Sequence, residues 1–333
     1  KVCPVINPLQ MGGNTPKAYA VYSKDETVRM QSSSGGVFTE VARIVLNDGG
    51  VVYGAAYNEQ FEVVHICAET EEDLAKLRSA KYAQSDLRGI FPEIKARLNK
   101  GQKVLFSGTP CQVLGLKTYL KKEYLNLITV DLVCHSVPSP LVWKKYLEYI
   151  SADKTLAAVN LRCKDTGWSR YGYSNRFDFS DNTYHMNRSS ESLYMKFFGG
   201  GYISRPACAN CPGKGYDRVS DLTLGDFWGI WDIAPECDDD RGTSLVLVHT
   251  GKGAATLEGL EKRAVTLSEA SHENPAIIHS AGQNPKRTEI MELVRAGHFD
   301  EAAMLLTSPP VHSRPGLLRR GMAFLKRRIT RRQ

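Results

Sequence analysis

Lys103-Val104-Leu105-Phe106-Ser107-Gly108-Thr109-Pro110-Cys111-Gln112 reads as a strand that turns directly into a helix. Val104 to Phe106 is a short apolar run of the kind a buried strand carries, and Gly108 opens the turn. Thr109 suits the helix cap and Pro110 the first helical position, where a missing N–H leaves no bond unmade. The design repeats at once. Apolar Leu125 to Val133 ends at Asp131-Leu132-Val133, then Cys134-His135 and the turn Val137-Pro138-Ser139-Pro140 lead into another helical pattern. Strand, helix, strand implies parallel pairing, so the expected fold class is α/β with a parallel-sheet βαβ core.

Upstream, Gln31-Ser32-Ser33-Ser34-Gly35-Gly36 is a small polar loop opening into Val37, Phe38, Val41, Ala42 and Val45, apolar at helical spacing. Asp48-Gly49-Gly50 stops that helix; Val51 to Tyr57 reads as a strand, with Val63 to Ala68 its neighbour across a polar turn. Helical patterns follow near 71–77 and 88–99. After residue 151 come short alternating stretches at 156–162 and 171–185 and a Gly- and aromatic-rich segment, Phe197 to Tyr202, which read as an α+β insertion. Residues 219–229 and 243–249 return to strand patterns, followed by helices near 252–263 and 286–305. The expected organisation is a linker over 1–30, an α/β body over 31–310 whose second part begins at 152, and a helical tail over 311–333.

The net charge of +7 comes from 43 Lys and Arg against 36 Asp and Glu. Residues 311–333 hold eight of those bases and no acid, which leaves 35 bases against 36 acids elsewhere. A nearly neutral body argues against a nucleic-acid-binding face. In the tail, Leu317, Leu318, Met322, Leu325 and Ile329 recur at helical spacing among Arg319, Arg320, Lys326, Arg327 and Arg328. That basic amphipathic pattern suits peripheral contact with an anionic membrane, docking of an acidic partner, or a solvated terminus. No apolar run approaches the roughly 18–20 residues of a membrane span, and Lys1-Val2-Cys3-Pro4 carries no targeting signal, so a cytoplasmic address is expected.

Eight cysteines in a long chain with that address argue for metal or redox use rather than a disulfide scaffold. Cys208-Ala209-Asn210-Cys211 lets two thiolates face one site from a tight loop. Cys111 and Cys134 each follow an expected parallel strand, at the carboxyl edge where α/β proteins gather ligands. Four thiolates there suit a 4Fe-4S cluster or structural zinc, and unligated thiols are a third reading. Cys67 and Cys163 read as small buried hydrophobes. Helix N-termini at Gly35-Gly36 and Thr109-Pro110 suit an anionic cofactor or are ordinary caps, since no complete dinucleotide fingerprint is present.

Six ordered motifs now stand out: Ser33-Ser34-Gly35-Gly36, Lys81-Tyr82-Ala83-Gln84-Ser85, Gly108-Thr109-Pro110-Cys111-Gln112, Cys134-His135-Ser136-Val137-Pro138-Ser139-Pro140, Arg205-Pro206-Ala207-Cys208-Ala209-Asn210-Cys211 and Ser220-Asp221-Leu222-Thr223-Leu224-Gly225-Asp226-Phe227-Trp228-Gly229. Together, over roughly 30–250, they resemble the beta subunit of coenzyme F-420 hydrogenase and dehydrogenase. The resemblance implies an oxidoreductase holding FAD and one 4Fe-4S cluster, coupling hydride transfer at the flavin to one-electron transfer through the cluster. It implies Cys111, Cys134, Cys208 and Cys211 as cluster ligands. It implies FAD contacts from Ser33, Ser34, Gly35 and Gly36, from Lys81, Tyr82 and Ser85, and from Thr109, Pro110 and Gln112.

Beside that resemblance, Lys81 is a candidate to offset flavin charge and His135, next to a ligand, a candidate proton relay. Asp131 and Asp226, at strand ends, are candidates for ribose or ring contacts, or for turn capping. The partners implied are a ferredoxin or other electron-transfer protein and a small-molecule redox substrate, the deazaflavin coenzyme in the best-known members. Relatives also occur beside bacterial surface-polysaccharide genes, so the substrate does not follow from the motif. Members often begin with a ferredoxin-like module; here only Cys3-Pro4 matches its end, which points to a truncated sequence or a separate ferredoxin. The rival readings are a non-catalytic accessory protein with a four-cysteine zinc site and a transferase on the same fold.

Overall fold

The strand-turn-helix unit around residue 108 forms the middle of the main sheet. The structure, a computed structural model, describes residues 2, 3, 6, 9, 13–169 and 172–307; the basic pattern expected over 311–333 lies outside the described residues. The strands are β1 (Lys17–Val21), β2 (Val51–Tyr57), β3 (Val63–Ala68), β4 (Val104–Gly108), β5 (Leu127–Leu132), β6 (Leu156–Cys163), β7 (Ser174–Phe179), β8 (Tyr184–Arg188), β9 (Leu222–Asp226), β10 (Ser244–Val248) and β11 (Lys262–Val265). Among the described residues they form an eight-stranded sheet in the order β11-β1-β10-β9-β5-β4-β2-β3 and a three-stranded sheet β6-β7-β8. β2, β4, β5 and β9 run parallel to their neighbours in that group. Antiparallel strands extend both edges. The fold is thus α/β around a parallel core, as the βαβ pattern implies.

Alternating side chains of the central strands fill both faces of the sheet. Val52, Leu105 and Ile128 meet Val37, Val41 and Val45 of the helix Val37–Asn47 on one face. Val51, Phe106 and Leu127 meet Ile94, Val113 and Leu116 on the other. A second core joins β7 to the helices Pro140–Ser151, Leu193–Gly199, Arg287–Ala296 and Phe299–Thr307 through Trp143, Phe177, Tyr194, Phe197 and Ile290.

Several expectations are corrected by long-range pairing. β1, inside the stretch read as a linker, lies between β10 and β11 and belongs to the main sheet. The helix expected near 252–263 is only Gly251–Ala255, because Lys262–Val265 finds a strand partner in β1. The helix expected near 286–305 is two, separated by Gly297 at φ 89°, a left-handed cap that glycine adopts without strain. Phe197, in the Gly- and aromatic-rich segment read as α+β insertion, lies in the helix Leu193–Gly199.

A buried polar seam fastens β5 to β9. Asp221 accepts from the Thr129 N–H and hydroxyl, both at 2.8 Å, and from Thr250 Oγ1 at 2.6 Å. Two positions along, Thr223 donates to Asp131 at 2.6 Å and lies 2.8 Å from His249 Nε2. His249 is buried, and burial foremost pushes its imidazole down to about 4. The folded state therefore holds a neutral ring that the unfolded chain protonates below its ordinary value, so stability present above about pH 6.5 is lost as pH falls toward 4. The unfolding temperature should fall over that window, and His249→Gln should flatten the fall; calorimetry showing identical pH profiles for the two proteins would refute this role.

Candidate functional site

The carboxyl ends of β4, β5 and β9 open onto a cleft of about 1720 Å³. Thr109, Cys111 and Gln112 follow β4 onto its wall, Cys134 and His135 follow β5, and Asp226 ends β9 there. Adjacent parallel strands terminate on the same side, which is why residues far apart in sequence share this edge.

Cys208 and Cys211 arrive from a short 3₁₀ turn, Pro206–Asn210. The Val137 N–H donates to Cys208 Sγ at 3.4 Å, so the turn rests against the segment that follows Cys134. Gly213 rests against Pro110: a Cβ there would lie 2.4 Å from the proline Cβ. Burial pushes the Cys134 thiol up to about 12; Cys111, Cys208 and Cys211 add to the rise and Lys214 opposes it. Burial likewise raises Cys111, with Cys211 and Cys208 contributing. Cys111 and Cys134 thus lie within electrostatic reach of each other and of Cys208 and Cys211. Among the described residues no three His, Cys, Asp or Glu side chains converge closely enough to hold one metal ion. Of the others, Cys163 is buried as expected, while Cys67 is half-buried on β3.

The Ser-Gly-Gly loop is built from outside. Arg162 on β6 makes a two-pronged pair with Asp226, at 2.6 and 2.8 Å, and also donates to the Ser33 carbonyl at 3.0 Å and the Tyr82 hydroxyl at 3.2 Å. Lys164, 5% exposed, donates to the carbonyls of Arg29, Ser34 and Arg241. Burial, then Arg162, pushes its ammonium down to about 7. These two bases were not singled out in the sequence. The available signal is Arg162 and Lys164 two apart at the end of an apolar strand pattern, hence on one face, where a charge needs a buried partner.

The segment after Ser79 crosses the strand ends. Gln112 accepts from the Thr109 N–H at 2.9 Å and donates to Ser85 at 2.8 Å, joining the capped helix to that segment. Tyr82 packs on Phe198, whose ring also meets His135 edge-on at 5.3 Å. His65, 6% exposed on the cleft wall, has Nε2 3.0 Å from the Ser107 carbonyl, and its Nδ1 has no partner among the described residues. The Ser107 carbonyl can only accept, so Nε2 carries the proton and Nδ1 is a buried acceptor without a partner among the described residues.

Ser33, Ser34, Gly36, Lys81, Tyr82, Ser85, Thr109, Gln112, Asp226 and His135 all line the cleft. Three candidates do not. Asp131 is 1% exposed and pairs with Arg218 at 3.2 Å, because its register opposite Thr223 turns it into the sheet rather than the cleft. Gly35 packs against the end of β1 and the start of β10: a Cβ would lie 2.5 Å from the Val21 carbonyl oxygen and 2.7 Å from the Ser244 nitrogen. Pro110 is buried against Gly213. Lys81 borders the cleft, yet its ammonium donates to the carbonyls of Lys76, Arg78 and Ser79 at 2.9, 2.5 and 3.2 Å. Its three donors close the end of the helix Glu71–Leu77 and are not directed at a cofactor. Asp226 too is engaged, paired with Arg162 across the cleft wall.

The family profile described as the C terminus of the coenzyme F-420 hydrogenase/dehydrogenase beta subunit matches residues 101–273. The chain belongs to this family. The matched stretch contains all four clustered cysteines, His135, Arg162 and Asp226, and it assigns this protein to an oxidoreductase family. Among solved structures, a chain of the F-420-reducing nickel-iron hydrogenase complex from Methanosarcina barkeri is similar in fold, with TM-score 0.50, 16% identity, and coverage of 87% of this chain and 90% of that one. No curated protein matches the chain. Among the described residues no helix is long and apolar enough to cross a membrane.

Arg162→Met leaves the half-buried Asp226 beside an apolar side chain and removes the donor to the Ser33 carbonyl. A loss of about 3–5 kcal/mol is expected, the range for breaking a buried pair from one side. Chemical denaturation of the two proteins measures it, and a difference below about 1 kcal/mol, the worth of an exposed pair, would contradict the bracing role.

Proposed function

We propose that this chain is an iron-sulfur flavoprotein that couples two-electron exchange with a small-molecule substrate to one-electron exchange with a ferredoxin or similar electron-transfer protein. The observation that carries the reading is that Cys111 and Cys134 share one wall of a cleft of about 1720 Å³, with the Cys208–Cys211 turn resting on the segments that follow them. That volume exceeds the roughly 300–1,000 Å³ of ordinary small-molecule pockets, which suits a dinucleotide-sized cofactor together with a second molecule. When bound, a flavin supplies conversion between paired and single electrons, and a cluster supplies a one-electron relay.

The residues present fit those groups. A single zinc ion bound at about 2.3 Å requires sulfurs nearly in contact. A cluster attaches its thiolates to four different irons and so takes sulfurs spread around a wider centre, which suits thiols arriving from three separate segments of chain. The helix N-terminus at Gly36, with Ser33 and Ser34 beside it, offers backbone donors and a helix dipole to phosphate. His135 is exposed on the cleft wall and held edge-on to Phe198, a position suited to moving a proton to or from substrate. The family name makes a deazaflavin coenzyme the first substrate to try.

Protein purified without oxygen should contain iron, sulfide and flavin and show a broad absorbance near about 400 nm, which zinc thiolates lack. Cys208→Ser should lose most of the iron while keeping its circular dichroism; stoichiometric iron in that variant would remove Cys208 from the ligand set. Gly213→Ala should also lower iron occupancy, although it deletes no sulfur, because the added methyl pushes the Cys211 loop away from Pro110 and Cys111. An unchanged iron-to-protein ratio would show that the loop yields elsewhere.

A further inference from the structure

One cation stands against the cysteine cluster, held there by backbone carbonyls. Lys214, three residues past Cys211, turns back so that Nζ donates to the Cys134 carbonyl at 2.5 Å and to the Ala276 carbonyl at 2.6 Å. A flexible lysine at the end of a loop ordinarily extends into water. Here two carbonyls hold it, one belonging to a cluster cysteine. Burial pushes its ammonium below the ordinary lysine value, Cys134, Cys211 and Cys208 oppose that fall, and its own charge acts on Cys134. Arg205 bears on Cys111 from another side.

We propose that Lys214 sets the reduction potential of the iron-sulfur centre, its ammonium fixed beside Cys134 so that it favours the more negative, reduced state. The inference rests on the cluster reading proposed above. One-electron reduction, with dithionite as the donor in the assay, adds one negative charge to the cluster and its four thiolates; no bond forms or breaks. A fixed positive charge close by stabilises the reduced form more than the oxidised form, because attraction grows with the charge it faces. The Val137 N–H on Cys208 Sγ acts in the same direction. Lys214 is therefore a positioning and tuning residue, not a group that meets substrate.

The test is an anaerobic redox titration of the full chain, followed by electron paramagnetic resonance, for wild type, Lys214→Met and Lys214→Arg, with iron and sulfide measured first. The expected result is a midpoint shifted to lower potential in Lys214→Met and retained in Lys214→Arg. Failure of Lys214→Met alone to load iron, with Lys214→Arg loaded, also supports a requirement for the charge. A loaded Lys214→Met with the wild-type midpoint overturns the inference, as does an equal shift in both variants or loss of iron from both, which would make the side chain a brace for its loop. Wild-type protein without iron and sulfide overturns the cluster reading and this inference together.

Discussion

Parallel pairing of β4, β5 and β9 is the constraint on which the site depends. Strands that run the same way end on the same side, and neighbours lie about 4.8 Å apart, so whatever follows them emerges in a row. That geometry delivers Thr109 and Cys111, then Cys134 and His135, then Asp226 to one wall. It needs fastening at the other end of the strands. Asp221 supplies this by taking both the amide and the hydroxyl of Thr129, so a residue of the Asp-Leu-Thr-Leu-Gly-Asp stretch acts by holding register and not by touching the cleft. The Cys-x-x-Cys turn belongs to no strand, and it reaches the row only because Gly213 lets two backbones approach at Pro110.

The second theme is the placement of cations under backbone. Lys81, Lys164 and Lys214 each donate to two or three carbonyls, and Arg162 and Arg218 pair with Asp226 and Asp131. Burying a charge is costly unless it is paired and hydrogen-bonded, and these charges are. Their common effect is to lock loops that carry no regular hydrogen bonding of their own. Lys164 holds the Ser-Gly-Gly loop by the Ser34 carbonyl, just before the helix Val37–Asn47 begins. A site assembled from rigid loops can present donors to a ligand without first ordering them.

The likeness to hydrogenase beta subunits and the physical reading of the cleft support each other at different levels. The family match covers the cysteines and the strands that carry them. The Ser-Gly-Gly loop and the Lys81 to Ser85 segment lie outside the matched stretch, and their nearness to the site comes from the coordinates: Arg162 reaches the loop and Tyr82, and Gln112 reaches Ser85.

The central strands, the capped helix after Gly108 and the cysteine positions were legible in the sequence, because burial on both sheet faces and helix capping are local demands that leave local patterns. β1 and β11 were not, since β11 is a strand only against β1, and β1 only between β10 and β11. The same division runs through the site. Local pattern marked Cys111 and Cys134 as residues at strand ends, yet it could not tell that Asp131 turns inward to Arg218 while Asp226 faces the cleft, or that Lys81 closes a helix instead of facing a ligand. Those outcomes depend on which partner lies across space. A chain carries its own periodicity and turn chemistry, but the distance between residues 162 and 226 exists only once the sheets have packed.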